Sequence, residues 1–236
     1  MHKIISLLIA GSLIMTSCNE KTNKIHVIFV DITGSTRISK KENAKKFSMY
    51  LKNMLDRKVK GGEEVVIYPI HSWTESAGPI GEWEMPLPVD INWKRKWEAK
   101  IAEIVSKVNK KCFTETRIGP NVRSSTSLFP IFNKLKWLSN RGNVEVTIFS
   151  DMIEDNASLD FTELFARLDK PAIKKLAVKK YAEIKDEISI TGTNITILYP
   201  RTEVGGPNNA ILPKVETFWV TFIGETGANL FIADLS

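Results

Sequence analysis

An apolar run, Ile25-His26-Val27-Ile28-Phe29-Val30, ends abruptly in an acid, and oxygen-bearing side chains then fall at alternate positions: Asp31, Thr33 and Ser35. β-Branched residues and Phe29 favour a strand, and the near-continuous apolarity predicts one covered on both faces. Gly34 lets the chain turn tightly where that strand stops. Asp31, Thr33 and Ser35 are thereby placed in a loop at the carboxyl end of a buried strand, where open α/β sheets bind their ligands. Hard oxygen donors grouped this way suit Mg²⁺ or a similar cation. One carboxylate and two hydroxyls do not neutralise a divalent ion, so the remaining charge has to come from elsewhere in the chain, from water or from a partner. The same residue types also cap helices and shape turns. The stretch alone leaves both readings open.

The elements that would position these residues can be read in order. Ser39-Lys40-Lys41-Glu42 is a capping-box pattern. Ala44, Phe47, Leu51, Met54 and Leu55 follow on one helical face, and Gly61-Gly62 stops the helix. Glu64 to Ile70 reads as a second strand, and Pro69 predicts that it lies at an edge. His71 to Asp90 is irregular and rich in Trp and Pro, with a third strand around Gly81 to Met85. This segment is expected to pack as a lid on the domain's own core, the alternative being an exposed recognition surface. His71 is expected to be structural.

Asp90 is placed to cap a second helix bearing Trp97, Ile101, Ile104, Val105 and Val108. A loop from Arg117 ends in Ser124-Ser125-Thr126-Ser127. A third helix then turns Leu128, Phe132, Leu135 and Leu138 inward, with Pro130 tolerated in its first turn. Val144 to Ser150 repeats the opening logic, a β-branched strand followed by Asp151. Ser158 precedes a helix carrying Leu159, Phe161, Leu164, Phe165 and Leu168, and another helical piece runs from Pro171 to Ile184. Asn194 to Tyr199 is a strand. Val215, Phe218, Trp219, Phe222 and Ile223 stripe a last helix, and Leu230-Phe231-Ile232 gives a final strand. Strands alternating with helices predict an α/β fold: a doubly wound, mostly parallel central sheet flanked by helices, over residues 25–236.

The 236 residues, 43% hydrophobic and 25% charged, suit one large α/β domain. The net charge is +6, and the basic residues are dispersed over predicted helices, which reads as solvated faces. Met1 to Cys18 stands apart. Lys3 gives a positive start, Ile4 to Met15 is an apolar stretch too short to span a membrane, and Thr16-Ser17 puts small residues before Cys18. Apolar-Thr-Ser-Cys resembles the lipobox of bacterial lipoproteins, with Met15 where Leu is more usual. The resemblance implies a signal peptide over 1–17, a diacylglycerol thioether on Cys18 and a lipid-anchored tether over 18–24. The location implied is the bacterial cell envelope, on a periplasmic or surface face. A basic lipid-anchored protein also suits anionic headgroups. The export signal, rather than the charge, disfavours nucleic acid. Cys112 is then left without a disulfide partner and is expected as a buried structural thiol.

Three loops converge at one sheet edge: Asp31-x-Thr33-x-Ser35, the Ser124–Ser127 loop, and Asp151. Together they resemble a von Willebrand factor A-type (vWA) domain with a metal-ion-dependent adhesion site. That family has Asp-x-Ser-x-Ser after the first strand, a Thr in a later loop before a helix, and an Asp after the next strand. Thr33 keeps the hydroxyl of the first motif. Thr126 matches the lone threonine, with Ser124 and Ser125 as alternative donors because the preceding residue departs from the family's Gly or Thr. The resemblance implies Mg²⁺ (or Mn²⁺ or Ca²⁺) on Thr33 and Ser35, with Thr126 direct or through water. Asp31 and Asp151 would hold metal-bound waters, and one position would remain for an acidic residue of a protein partner. Mg²⁺ keeps several waters, so few direct ligands backed by carboxylates are physically consistent. No nucleophile with an adjacent base stands nearby, so enzymatic activity is not expected. The alternative from another class is a haloacid-dehalogenase-like phosphotransferase with Asp31 as nucleophile, resembling the Asp-x-Thr-Gly-Thr of P-type pumps. It leaves the serine-rich loop unexplained and has Thr33 where a second Asp is usual.

Overall fold

The computed structural model describes residues 24–33, 41–89, 91–114, 125–188, 190–200 and 210–235. Ser39 and the side chain of Glu42, Asp90, Cys18, Ser35 and Ser124 lie outside that description. Strand β1 (Lys24–Asp31) leads to helix α1 (Lys41–Lys58), β2 (Glu64–Ile70), β3 (Gly81–Glu84) and α2 (Trp93–Asn109), which tightens into a π-helical turn, Lys110–Thr114. Then come α3 (Pro130–Ser139), β4 (Asn143–Phe149), a hairpin of β5 (Asp155–Asn156) and β6 (Leu159–Asp160), α4 (Phe161–Arg167), α5 (Lys170–Ile184), β7 (Asn194–Pro200), α6 (Leu212–Glu225) and β8 (Asn229–Leu235).

The main sheet runs β3-β2-β1-β4-β7-β8, and every pairing in it is parallel except that of β3. This is the doubly wound α/β architecture expected, with the chain leaving β1 at the switch point of strand order. Residues of β1 alternate between two cores. Val27 and Phe29 face α3, α4, α5 and α6, whereas Ile28 and Val30 face α1 and α2, all essentially buried. The continuous apolarity of the opening strand follows from that double cover. Cys112 is buried in the second core, as expected.

Two expectations need correcting. β2 is not an edge strand, since it lies between β1 and β3. Pro69 is tolerated because β3 pairs with β2 only as far as Ile67, whose carbonyl accepts from Ile80 N (2.7 Å). Pro69, two residues on, turns its nitrogen to the same side, past the end of β3, where no ladder bond is lost. Nor does Ser158 open a helix. Asn156 Oδ1 accepts from Ser158 N (2.9 Å), Ser158 Oγ (2.6 Å) and Leu159 N (3.1 Å), an Asx turn that closes the β5–β6 hairpin instead. Helix α4 starts two residues after Leu159, at Phe161, with Asp160 Oδ1 accepting from Glu163 N.

The aromatic segment 71–90 divides. Trp83 is buried on β3 and donates its Nε1–H to Glu103 (2.8 Å), whereas Trp73 is 62% exposed. His71 is buried, and its Nδ1 accepts from Trp73 N (3.0 Å), the structural role expected.

Candidate metal centre

The site is built where β1 and β4 end side by side. Val30 pairs with Phe149, so the next residues, Asp31 and Ser150, are neighbours at the carboxyl edge. Asp31 is fully buried. Its Oδ1 accepts from Thr33 N (2.9 Å) and Thr33 Oγ1 (2.7 Å), and its Oδ2 accepts from Ser150 Oγ (2.7 Å). Thr33 Oγ1 also lies 2.8 Å from Thr126 Oγ1. With Thr33 giving its single proton to Asp31, Thr126 is the donor of that pair. A relay therefore runs from Thr126 through Thr33 to the Asp31 carboxylate.

Thr126 is fixed by backbone. Its N–H donates to Asp155 O (2.8 Å), and Asp155 N donates back to Thr126 O (3.1 Å). Glu154 secures the same junction, with Oε2 accepting from Leu128 N (2.7 Å) and Oε1 accepting from Asn156 Nδ2. The serine-rich loop is thus sewn to the segment that follows Asp151. Of the hydroxyls in that loop, fully buried Thr126 meets Thr33, while Ser125 is half-buried.

The turn carrying Asp151 is held from three sides. Ser150 Oγ accepts from Met152 N (2.9 Å), Asp151 Oδ1 accepts from Ile153 N (3.1 Å), and Met152 O accepts from Trp219 Nε1 (2.7 Å). Met152 itself has φ 59°, a left-handed conformation uncommon for an unbranched apolar residue. Such strain persists only where its surroundings over-determine it and clusters at functional sites. Asp151 Oδ2 is buried with no hydrogen-bond donor among the described residues. Burial raises the pKa of Asp31. Burial raises that of Asp151 too, and the neighbouring charge of Asp31 adds to the shift. Glu154 is pushed up to about 8, chiefly by burial.

These features fit a hard divalent cation. Two buried carboxylates, one with an orphan oxygen, stand beside two converging hydroxyls, and each would be relieved by nearby positive charge. The donors are all oxygen, the set that Mg²⁺, Mn²⁺ and Ca²⁺ accept. The described histidines are engaged elsewhere. His26 bonds Glu63 (2.8 Å) at the other edge of the sheet, and His71 holds Trp73. Among the described residues no cluster of three His, Cys, Asp or Glu side chains could hold a metal, so any ion here would depend on hydroxyl ligands.

Of the residues singled out from the sequence, Asp31, Thr33, Thr126 and Asp151 come together. Ser35 lies outside the described residues. Sequence reasoning missed Ser150 and Glu154 as supports. A hydroxyl directly before the strand-end acid was the available sign for Ser150. Glu154 gave none, because its partner Leu128 is distant in sequence.

No family model matches the chain, and no curated protein matches it. Among solved structures, proximal thread matrix protein 1 from the mussel byssus overlaps with a TM-score of 0.43 at 12% identity, over 90% of this chain and 42% of that one. One structure of that protein is described as having a zinc-occupied MIDAS motif (TM-score 0.42, 11% identity, 90% and 44% covered). The vWA domain of SpRpn10 overlaps with a TM-score of 0.35 at 11% identity, over 90% of this chain and 89% of that one. The ArnB paralog VWA2 from Sulfolobus acidocaldarius gives 0.43 at 13% identity, over 91% and 42%. The chain thus spans less than half the length of the mussel and archaeal proteins. The strand order, rather than these overlaps, carries the assignment of a doubly wound, Rossmann-like α/β fold.

Proposed function

We propose that the chain is a lipoprotein of the bacterial cell envelope whose vWA-like domain binds a divalent cation and, through it, an acidic group on a protein partner. The observation that carries this reading is the orphan Oδ2 of Asp151 beside buried Asp31 and the paired Thr33 and Thr126 hydroxyls. Thr33, Ser35 and Thr126 would hold Mg²⁺, Mn²⁺ or Ca²⁺. Asp31 orients Thr33 through two hydrogen bonds, Ser150 orients Asp31, and Asp151 contributes negative charge from behind. When bound, the cation supplies uncompensated positive charge at the sheet edge that draws in a carboxylate. Exposed Trp73 sits just beyond the end of β2, on the same edge, and offers apolar area for the partner. The lipobox around Cys18 supports the anchor.

The phosphotransferase alternative gains no support from the geometry. In that reading Asp31 would be the nucleophile; both its oxygens accept hydrogen bonds here, from Thr33 and from Ser150.

Calorimetric titration of Mn²⁺ and Mg²⁺ into residues 19–236 tests the reading. Ser35→Ala and Thr126→Ala are each expected to weaken binding by about tenfold or more. Binding that survives both and is abolished by Asp31→Asn would favour the phosphotransferase instead. Mass spectrometry of the mature N-terminus tests the acyl group on Cys18.

A further inference from the structure

The sheet edge opposite the metal-site residues carries apolar side chains that neither core takes up. β1, β2 and β4 run parallel, so Lys24, Glu64 and Asn143 all begin at that edge, and residues 1–23 lead into it. The Gly61-Gly62 turn before β2 lies there too. The strap joining β3 to α2 is seated on this turn so closely that a Cβ on Gly61 would stand 2.7 Å from Pro86 O and 2.9 Å from Pro88 Cδ. Along the strap, Leu87, Val89, Ile91 and Trp93 are 43%, 74%, 97% and 39% exposed. Basic residues flank it. α1 ends in Arg57-Lys58, Lys60 follows, and Lys94-Arg95 open α2, all exposed. The acids at this edge are Asp56 and Glu98, which line the cleft beside Trp93, and Glu64 and Glu84, paired across β2 and β3 just before the strap; in sequence Asp90 also falls between Val89 and Ile91.

We propose that this edge is a membrane-contact surface: Leu87, Val89, Ile91 and Trp93 enter the boundary between headgroups and acyl chains of a bilayer, and the flanking basic residues meet anionic headgroups. The inference rests on the reading of Cys18 as a lipid anchor. Lys24 lies six positions after Cys18, a reach of at most about 20 Å, so the anchor would hold this edge against the bilayer. The chemistry agrees with that occupant. Scattered aliphatic side chains with a Trp among cations make an interfacial pattern, whereas the centre of a protein interface is depleted of charge. Among the described residues no helix is long and apolar enough to cross a membrane, so the contact is one of lying on the surface. The Asp31–Asp151 site then points away from the bilayer, toward a partner.

The chain from Asn19 to Ser236 carries every described residue and no acyl group. It is sedimented with vesicles of phosphatidylcholine alone, or of phosphatidylcholine mixed with phosphatidylglycerol. Binding is expected to the anionic vesicles and to fall as salt is raised. Val89→Asp with Ile91→Asp should weaken it by about tenfold or more, as should Lys94→Glu with Arg95→Glu. All four positions are exposed, so folding is preserved, and Val220→Asp on α6 serves as the surface control. Brominated acyl chains should quench tryptophan fluorescence in the wild type, and Trp93→Phe should remove that quenching.

Absence of binding to anionic vesicles, or equal binding by the Val89/Ile91 variant, overturns the proposal. Wild-type dimers that this variant lacks, without vesicle binding, also overturn it and make the edge a contact between copies. The anchor is judged separately. An acylated Cys18 with a soluble chain that ignores vesicles defeats this surface alone. An unmodified Cys18 with vesicle binding by the soluble chain upholds the surface and removes the anchor.

Discussion

Asp151 is a buried carboxylate that a nearby cation would relieve. One oxygen accepts a single backbone bond and the other none among the described residues. An unsatisfied buried polar atom costs about 1–3 kcal/mol, more when charged. Asp151→Asn is therefore expected to raise the unfolding midpoint of the metal-free protein by a few degrees and to abolish stabilisation by Mn²⁺. The wild type at about 100 times Kd should gain about 2.7 kcal/mol, or about 5–10 °C for a chain of this size. Thermal scans with Mn²⁺ and with EDTA give both numbers. Glu154 supplies a pH test with a definite sign. Its folded pKa, about 8, lies above the ordinary 4.5, so the native state keeps a proton that the unfolded chain releases. The stability present below pH 4.5 is lost as pH rises toward 8, at about 1.4 kcal/mol per pH unit for each proton kept. Asp31 and Asp151 shift in the same direction. Urea unfolding in EDTA at pH 5, 6 and 7 should show falling stability, and Glu154→Gln should flatten the slope. Stability that rises over this range contradicts the argument.

At the scale of elements, the last helix is tied directly to the site. Trp219 on α6 sits in a cluster with Phe129, Phe132, Phe161, Phe218 and Phe222, and its Nε1–H reaches the carbonyl of left-handed Met152. Trp219→Phe keeps much of the packing and removes that donor. It is expected to destabilise the chain by about 1–3 kcal/mol and to weaken Mn²⁺ binding, because the turn bearing Asp151 loses one of its three holds. Denaturant unfolding and Mn²⁺ titration measure the two effects, and loss of stability with unchanged Mn²⁺ affinity would separate α6 from the site. The apolar stripe that places Trp219 inside was legible in sequence, as were the double-covered first strand and the acid at the end of each site strand. Local periodicity and strand-end chemistry wrote those. The partner of the indole N–H was not legible, because it lies 67 residues away. The β5–β6 hairpin was hidden for the opposite reason. Asn156 overrides a helical pattern through three short-range bonds that leave no trace in hydrophobic spacing. Pro69 misled because an edge condition that holds for one residue was extended to a whole strand.

The two proposed surfaces are separated by the length of the strands. β1 runs from Lys24 at the amino edge to Asp31 at the site, eight residues that span about 23 Å. That exceeds the Debye length of about 8 Å at physiological salt, and it exceeds the roughly 7–10 Å over which substitutions couple through shared contacts. Charge introduced at Val89 and Ile91 should therefore go unfelt at Asp31 and Asp151, even though two added carboxylates would attract a cation at short range. The Val89→Asp, Ile91→Asp protein is expected to bind Mn²⁺ within about twofold of the wild type at physiological salt. Lowering the salt to about 0.01 M lengthens screening to about 30 Å, so a small gain in affinity should emerge only there. Calorimetric titration at the two salt concentrations reads this directly. A large change at physiological salt would mean that the rigid sheet transmits strain from one edge to the other. The domain would then report membrane contact to its metal site rather than hold two independent surfaces apart.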